Sequence, residues 1–498
     1  MCLPVSRKEA GNVPGPGLGS QGINEAVLAA VWNEQSPLRG PMWDCQGNPV
    51  AVVYRGRWTA GSGPDFEGAM LSLGEGAGRL VTGSVEMHLR CGDWWAHGHH
   101  ADPKYNTVAL HVVLWPQGAR PVLRADGVSV PTLVLADYIS LPTSDLLEKV
   151  QPLVSNLGTL SEEPCWKRTE AWPLSRLMEP IQEAGDARLI AKAAAMEADL
   201  EAFGSADEAF YRGLMDSLGY SANREPMRSL AAVLPLHQLL ALPLGKSEAE
   251  RAILLESILL GAAGFLPSQR PEQGPLDYIS AQYAEEAEAI WRAHVTLAGL
   301  SAKAVADGWV TNRVRPANSP PRRLAAAARL LARLTWEPGG MLGPFLDASQ
   351  KKQANDLAKA WTALLTVPGA GYWTAHADFG HVLGGEGKEV ALIGSSRAAE
   401  MAVNILMPLL LAHSERNNLP ALRGSVMSAY AAYPKLAENS ITEAMSEEAL
   451  GPRKGSIKKA RQQQGLLQLY RLYCQSRRCY ECPLSGLLGS RNGGAVTD

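Results

Sequence analysis

Residues 63–73, 83–90 and 107–115 read GPDFEGAMLSL, GSVEMHLR and TVALHVVLW. Apolar and polar positions alternate through the first two, the pattern of half-buried strands, and the third is an apolar β-type run. In GSVEMHLR, Val85, Met87 and Leu89 share one face, while Glu86, His88 and Arg90 share the other. Glu86 and His88 therefore point the same way, about 7 Å apart by strand geometry. Asp65 follows Pro64, and a loop after FEGAMLSL returns the chain, so Asp65 and Glu86 can meet on neighbouring strands. Two carboxylates so placed suit a hard cation such as Mg²⁺, with waters and a substrate phosphate completing its shell.

Working outward, Ile23, Val27, Leu28, Val31 and Trp32 have the spacing of a short amphipathic helix. Further β-type runs are VAVVY before Arg55, the stretch around Val122, and Val130 to Leu135. One helix followed by about five strands makes an α+β domain over residues 21–145, behind a Gly- and Pro-rich leader at 1–20. Beyond it the pattern turns helical. Ser205 with Glu208 and Ser247 with Glu250 are capping boxes, and Gly219 is placed as a helix stop. A large all-α domain is expected over 150–445, with no repeat period, followed by a basic segment at 446–498 that carries cysteines.

With 498 residues, 46% of them hydrophobic and 19% charged, the chain can build packed cores and is not globally disordered. A net charge of −3 excludes a uniformly basic nucleic-acid coat. The start lacks the apolar core of a signal peptide, and the apolar runs near Ile253–Leu266 and Met401–Ala412 are interrupted by Glu256 or by Asn404 and Pro408. No membrane association is expected. Seven cysteines, an odd number, suit thiols or a metal site in a reducing cytoplasm better than a disulfide framework.

Five of the ten histidines lie between His88 and His111. His97, His99, His100, Asp102 and Tyr105 extend the candidate site, because several imidazoles beside carboxylates are costly to leave idle. The bland reading is a solvated strand face, and His111, inside an apolar strand, reads as a satisfied core histidine. A competing chemistry is zinc held by His88, His97 and His99 or His100, with Asp93 or Asp102. No HExxH supports it.

The order Pro-Asp, a spacer, then Glu-x-(base) resembles the PD-(D/E)XK nuclease superfamily. The resemblance implies a restriction-endonuclease-like mixed sheet and a metal-dependent nuclease acting on DNA or RNA. Asp65 and Glu86 would hold Mg²⁺ or Mn²⁺, Met87 would offer its main-chain carbonyl, and Glu25 would stand as an outer acid. His88 departs from the pattern by occupying the place where lysine is usual. It can serve as a base near neutral pH, or it can mark a degenerate fold that binds nucleic acid or acts as a scaffold without cleaving. Over nearly its full length the chain also resembles a bacterial family, domain of unknown function 2851. The shared strings are the window from GPDF through TVALHVV, LGYSANREPMRSLAAVLPL, GAAGFLP, RPANSPPRRLAAAARLL, GYWTAHADFG and YCQSRRCYECPL. That family name implies no activity.

Two more features bear on partners. Arg313, Arg315, Arg322, Arg323, Arg329 and Arg333 fall in an acid-free stretch, and a stripe of this kind could neutralise phosphates or be a solvated helix face. Cys474, Cys479 and Cys482 have a C-x4-C-x2-C spacing that suits zinc or an iron–sulfur cluster, with Cys165 as the expected fourth ligand. Trp373, His376 and Phe379 in GYWTAHADFGH could stack bases, but their spacing is more often that of packing.

Overall fold

The computed structural model describes residues 22–485, apart from 36, 60–62, 75–78, 119, 155–163, 243–246, 272–273, 296–307, 312–313, 336–338, 384–389 and 476–477. The leader at 1–20 and Arg313 therefore lie outside the described residues. The chain is mixed α/β and divides into two units. The first comprises Met1–Leu177, Ala444–Lys454 and Leu469–Asp498; the second comprises Met178–Glu443 and Gly455–Gln468.

The first unit is built on a sheet. Helix α1 (Glu25–Glu34) starts where the Asn24 side chain accepts the Val27 N–H at 2.9 Å and stops at Gln35, whose φ of 56° turns the chain out of the helix. Strands β1 (Met42–Trp43), β2 (Pro49–Tyr54), β3 (Arg57–Trp58), β4 (Phe66–Leu73) and β5 (Arg79–Arg90) follow. Then come a one-turn helix α2 (Asp93–Ala96), β6 (Val108–Trp115), a small hairpin of β7 (Val122–Leu123) and β8 (Ser129–Val130), and β9 (Thr132–Val134). The strand order is β1-β2-β4-β5-β6-β9, with β3 also on β4. The β1-to-β5 pairings are antiparallel, whereas β5, β6 and β9 run parallel. A parallel pair needs a crossover, and residues 91–107 supply it.

Alternation along β5 and β6 sorts the chemistry. Val85, Met87, Leu110, Val112 and Leu114 face a core shared with Val27, Leu28, Val31 and Trp32 of α1. Glu86, His88 and His111 are buried without joining that apolar cluster. Glu86 sits opposite His111 in the ladder, and His88 opposite Val113. A second cluster of Cys91, Trp94, Tyr105, Val108, Val113, Val122 and Val130 ties the crossover to the sheet. Helix α3 (Thr143–Val154) adds Leu146 and Val150 to the α1 side.

The second unit is helical around one large core. Ser247 and Glu250 form the reciprocal capping box. Ser205 caps its helix, but the Glu208 carboxylate does not complete a box; it pairs with Arg212 and accepts the Leu236 N–H. Gly219 stays right-handed at φ −69°, and the left-handed residue is Tyr220 at 52°. Glycine at 219 meets a close approach instead, since a Cβ there would lie 2.4 Å from the Asn223 carbonyl oxygen. By length and composition Glu248–Gln269 could cross a bilayer, contrary to the reading of Glu256 as an interruption. However, 72% of its most apolar window is buried among its own neighbours, as in a core helix.

Candidate metal centre

Asp65 lies one residue before β4, past the end of the β4–β5 ladder, so the Met87 N–H has no opposing strand there. The Asp65 carboxylate takes its place: Oδ2 accepts the Met87 N–H at 2.8 Å. The reverse bond is also made, with the Asp65 N–H donating to Glu86 Oε2 at 3.1 Å. The two carboxylates are thus fixed by each other's main chain. Met87 contributes its N–H while its side chain faces the core.

The free edge of Glu86 meets imidazoles. Its Oε1 lies 3.2 Å from His99 Nε2 and 3.6 Å from His88 Nε2. His88 Nε2 is 3.1 Å from His97 Nδ1, and its Nδ1 is 2.9 Å from His111 Nε2. His111 Nδ1 continues the relay to Thr132 Oγ1 at 3.4 Å. His88, His97 and His99 each offer a ligand nitrogen, and these lie within 4.8 Å of one another. His99 Nε2 makes no aligned hydrogen bond, and its close polar neighbour is Glu86 Oε1.

Trp94 organises this crossover. It is fully buried, donates from Nε1 to the Leu123 carbonyl at 3.1 Å, and sets its ring against His99 and His111, each 5.4 Å away between centroids. Tyr105 lies over His99 at 3.8 Å. Nothing in the spacing of the sequence marks Trp94 or Thr132 as part of the site.

Burial sets the charge states. It raises the Asp65 carboxyl well above the usual range, and the neighbouring Glu86 charge adds to this. Glu86 is raised mainly by burial, with the Glu25 charge acting the same way. Burial pushes His88 down to about 2 and His111 to about 3, and the other imidazoles reinforce both shifts. His99 is lowered by burial against the pull of Asp65 and Asp102. His88, His99 and His111 are therefore held neutral, the form that ligates metals, beside carboxyls that would exchange protons for a cation.

The family described as "Protein of unknown function (DUF2851)" matches residues 25–439. The chain belongs to the DUF2851 family. No curated protein and no solved structure matches it.

In this DUF2851 chain the other expected site residues are distributed as follows. Glu25, exposed in the first turn of α1, acts on Asp65 and Glu86 through its charge. His100 does not join the trio; its ring lies 4.6 Å from that of Trp95. Asp93 accepts the Arg90 N–H and Asp102 the Lys104 N–H, so both cap turns, and Asp102 acts on His99 through its charge. The arginines of 315–333 do not form a solvent stripe. Arg322 is fully buried and donates to the His376 and Val390 carbonyls, and buried Arg323 serves Leu392 and Ala317. Arg329 pairs at 2.7 Å with Glu256, itself wholly buried, and Arg333 holds the Leu364 and Thr366 carbonyls. Arg315 is exposed. Helical spacing predicts a shared face, but in a close-packed helix that face is internal and the guanidiniums satisfy loop carbonyls. Residues 371–382 are a 3₁₀ turn and a short hairpin, not a helix. Their aromatics pack, with Tyr372 stacked on Tyr283 and His376 at 4.4 and 4.0 Å.

Proposed function

We propose that this protein is a metal-dependent phosphodiester hydrolase, a nuclease acting on DNA or RNA, with Mg²⁺ or Mn²⁺ held by Asp65 and Glu86. The observation that carries this reading is the reciprocal main-chain lock between half-buried Asp65, just before β4, and buried Glu86 on β5, with the His99 imidazole 3.2 Å from Glu86. The order helix, antiparallel strands, crossover and parallel strand supports a restriction-endonuclease-like arrangement.

When bound, the cation would supply Lewis-acid stabilisation of charge developing on a phosphoryl oxygen. The protein's own groups do the rest. His88 is only 1% exposed, so it serves as an orienting or ligating imidazole and not as the base that meets water. With His88 protonated on Nδ1 towards His111, its Nε2 lone pair faces Glu86 and His97. His97 is the exposed member of the trio, and so the one able to exchange a proton with solvent. Burial of Glu86 and His99 beside half-buried Asp65 limits bulk water and strengthens the charge interactions there.

The histidine trio favours a second reading, a zinc-dependent hydrolase using His88, His97 and His99. Purified protein assayed on linear DNA and RNA with each metal separates the two. Mn²⁺- or Mg²⁺-dependent cleavage abolished by Asp65→Ala supports the nuclease. Activity confined to Zn²⁺ and indifferent to Asp65→Ala supports the alternative. Salt-sensitive binding without turnover would reduce the protein to a binding module.

A further inference from the structure

Four thiols from two remote segments converge in the first unit. Cys165 opens a short helix, Cys165–Arg168, and its N–H donates to Glu448 Oε1 at 3.0 Å. Arg168 turns back so that Nη2 reaches Cys165 Sγ at 3.4 Å while Nε donates to the Ser485 carbonyl at 2.8 Å. Ser485 is folded onto Cys482: its N–H and Oγ both donate to the Cys482 carbonyl, at 3.2 and 3.0 Å. The Cys482 N–H donates to the Cys479 carbonyl at 3.2 Å, closing a 3₁₀ turn over Cys479–Glu481. Cys474 ends the preceding π-helical turn, Tyr470–Cys474. Tyr470 anchors that turn to the sheet by donating to the Val53 carbonyl on β2. One guanidinium thus joins the Cys165 thiol to the main chain of Ser485, 317 residues beyond Arg168.

The thiols also act on one another. Cys165 is raised well above the ordinary thiol value by burial, with contributions from Glu448, Cys474 and Cys479. Cys474 is raised by burial and by Cys482 and Cys479, and Cys482 is pushed up to about 11 by burial. None of the four is in a disulfide.

We propose that Cys165, Cys474, Cys479 and Cys482 ligate one iron–sulfur cluster that fastens the C-terminal segment to the Cys165 helix. The sequence motif favours a cluster over a single zinc. C-x4-C-x2-C with a remote fourth cysteine is a spacing used for iron–sulfur ligation. Arg168 beside Cys165 Sγ supplies positive charge, which offsets the net negative charge of a thiolate-ligated cluster. Ligation exchanges each S–H bond for an S–Fe bond and releases its proton to solvent, with a preassembled iron–sulfide unit as co-reactant. No electron transfer is required. The inference does not rest on the hydrolase reading, because Asp65, Glu86 and the histidines are not involved.

The test is iron, acid-labile sulfide and zinc analysis of the full chain purified without oxygen, before and after reconstitution with ferrous iron and sulfide. The expected result is iron and sulfide in equal numbers, at least two of each per chain, with visible absorbance that bleaches under dithionite. Cys479→Ser, at a partly exposed position, should lose iron at least tenfold with its circular dichroism preserved, while Cys45→Ser and Cys91→Ser keep it. One zinc per chain without sulfide would overturn the cluster. So would the absence of both metals after reconstitution, or full iron retention in Cys165→Ser and Cys479→Ser. The metal content of the unmodified protein decides the matter even if a serine variant fails to fold.

Discussion

Asp65 and Glu86 hold each other through the backbone: the Asp65 N–H donates to Glu86 Oε2, and Asp65 Oδ2 accepts the N–H of Met87, the residue after Glu86. Neither carboxylate can move without releasing a buried main-chain group. The site is therefore rigid before any ligand arrives, a condition that favours tight metal geometry.

The first prediction concerns pH without metal. Both folded carboxyls sit above their unfolded values. They contribute stability that is full below about pH 4 and is lost as pH rises through the raised folded values. The double variant Asp65→Asn/Glu86→Gln has no such loss. In EDTA its Tm advantage over the parent should grow from about pH 5 to about pH 9. A constant difference across that range would contradict the raised carboxyls.

Metal binding should run the other way. A cation displaces protons from Asp65 and Glu86, so Mn²⁺ should raise Tm more at about pH 8 than at about pH 6. At one hundred times its Kd the gain is about 2.7 kcal/mol. Glu86→Ala should abolish the shift. An unchanged Mn²⁺ shift in that variant, measured by calorimetry, would place the metal elsewhere.

His88 and His97 should separate stability from activity. His88→Ala leaves His111 Nε2 without its buried partner and should cost about 1–3 kcal/mol in denaturant melts. His97→Ala, at an exposed position, should change stability by no more than about 0.5 kcal/mol. Its kcat should fall by about 10²-fold or more if it exchanges the proton. Equal destabilisation with unchanged kcat would remove His97 from the chemistry.

Arg322→Ala tests the internal role of the arginine stretch. Orphaning the His376 and Val390 carbonyls should cost about 1–3 kcal/mol and leave nucleic-acid affinity unchanged at each salt concentration. A shallower salt dependence at unchanged stability would restore the phosphate-binding reading.

Much of the sheet was legible because its period-two patterning has a physical cause: one face of β5 and β6 must be apolar to meet α1. The same alternation placed Glu86 and His88 on the shared opposite face, and the Asp65–Glu86 meeting followed from the strand return. Selection among the histidines was not legible. His99 joins the trio and His100 does not, because Trp94 and Tyr105 fix the turn that carries them, and tertiary packing of this kind leaves no periodic signal. His111 reads as a core histidine and is buried, but its role in orienting His88 depends on the parallel β5–β6 register. The arginine stretch misleads for a related reason: helical spacing says which residues share a face, not whether that face meets water.

The most direct test is cleavage of end-labelled single- and double-stranded DNA and RNA with Mn²⁺ or Mg²⁺, comparing the unmodified chain with Glu86→Gln. This substitution keeps the side chain's size and an oxygen able to accept the Asp65 N–H, while removing the charge. Metal-dependent strand cleavage by the parent, reduced at least 10³-fold in the folded variant, is the result expected. Absence of cleavage of every substrate with both metals, or equal cleavage by parent and variant, would contradict a hydrolytic centre at Asp65 and Glu86.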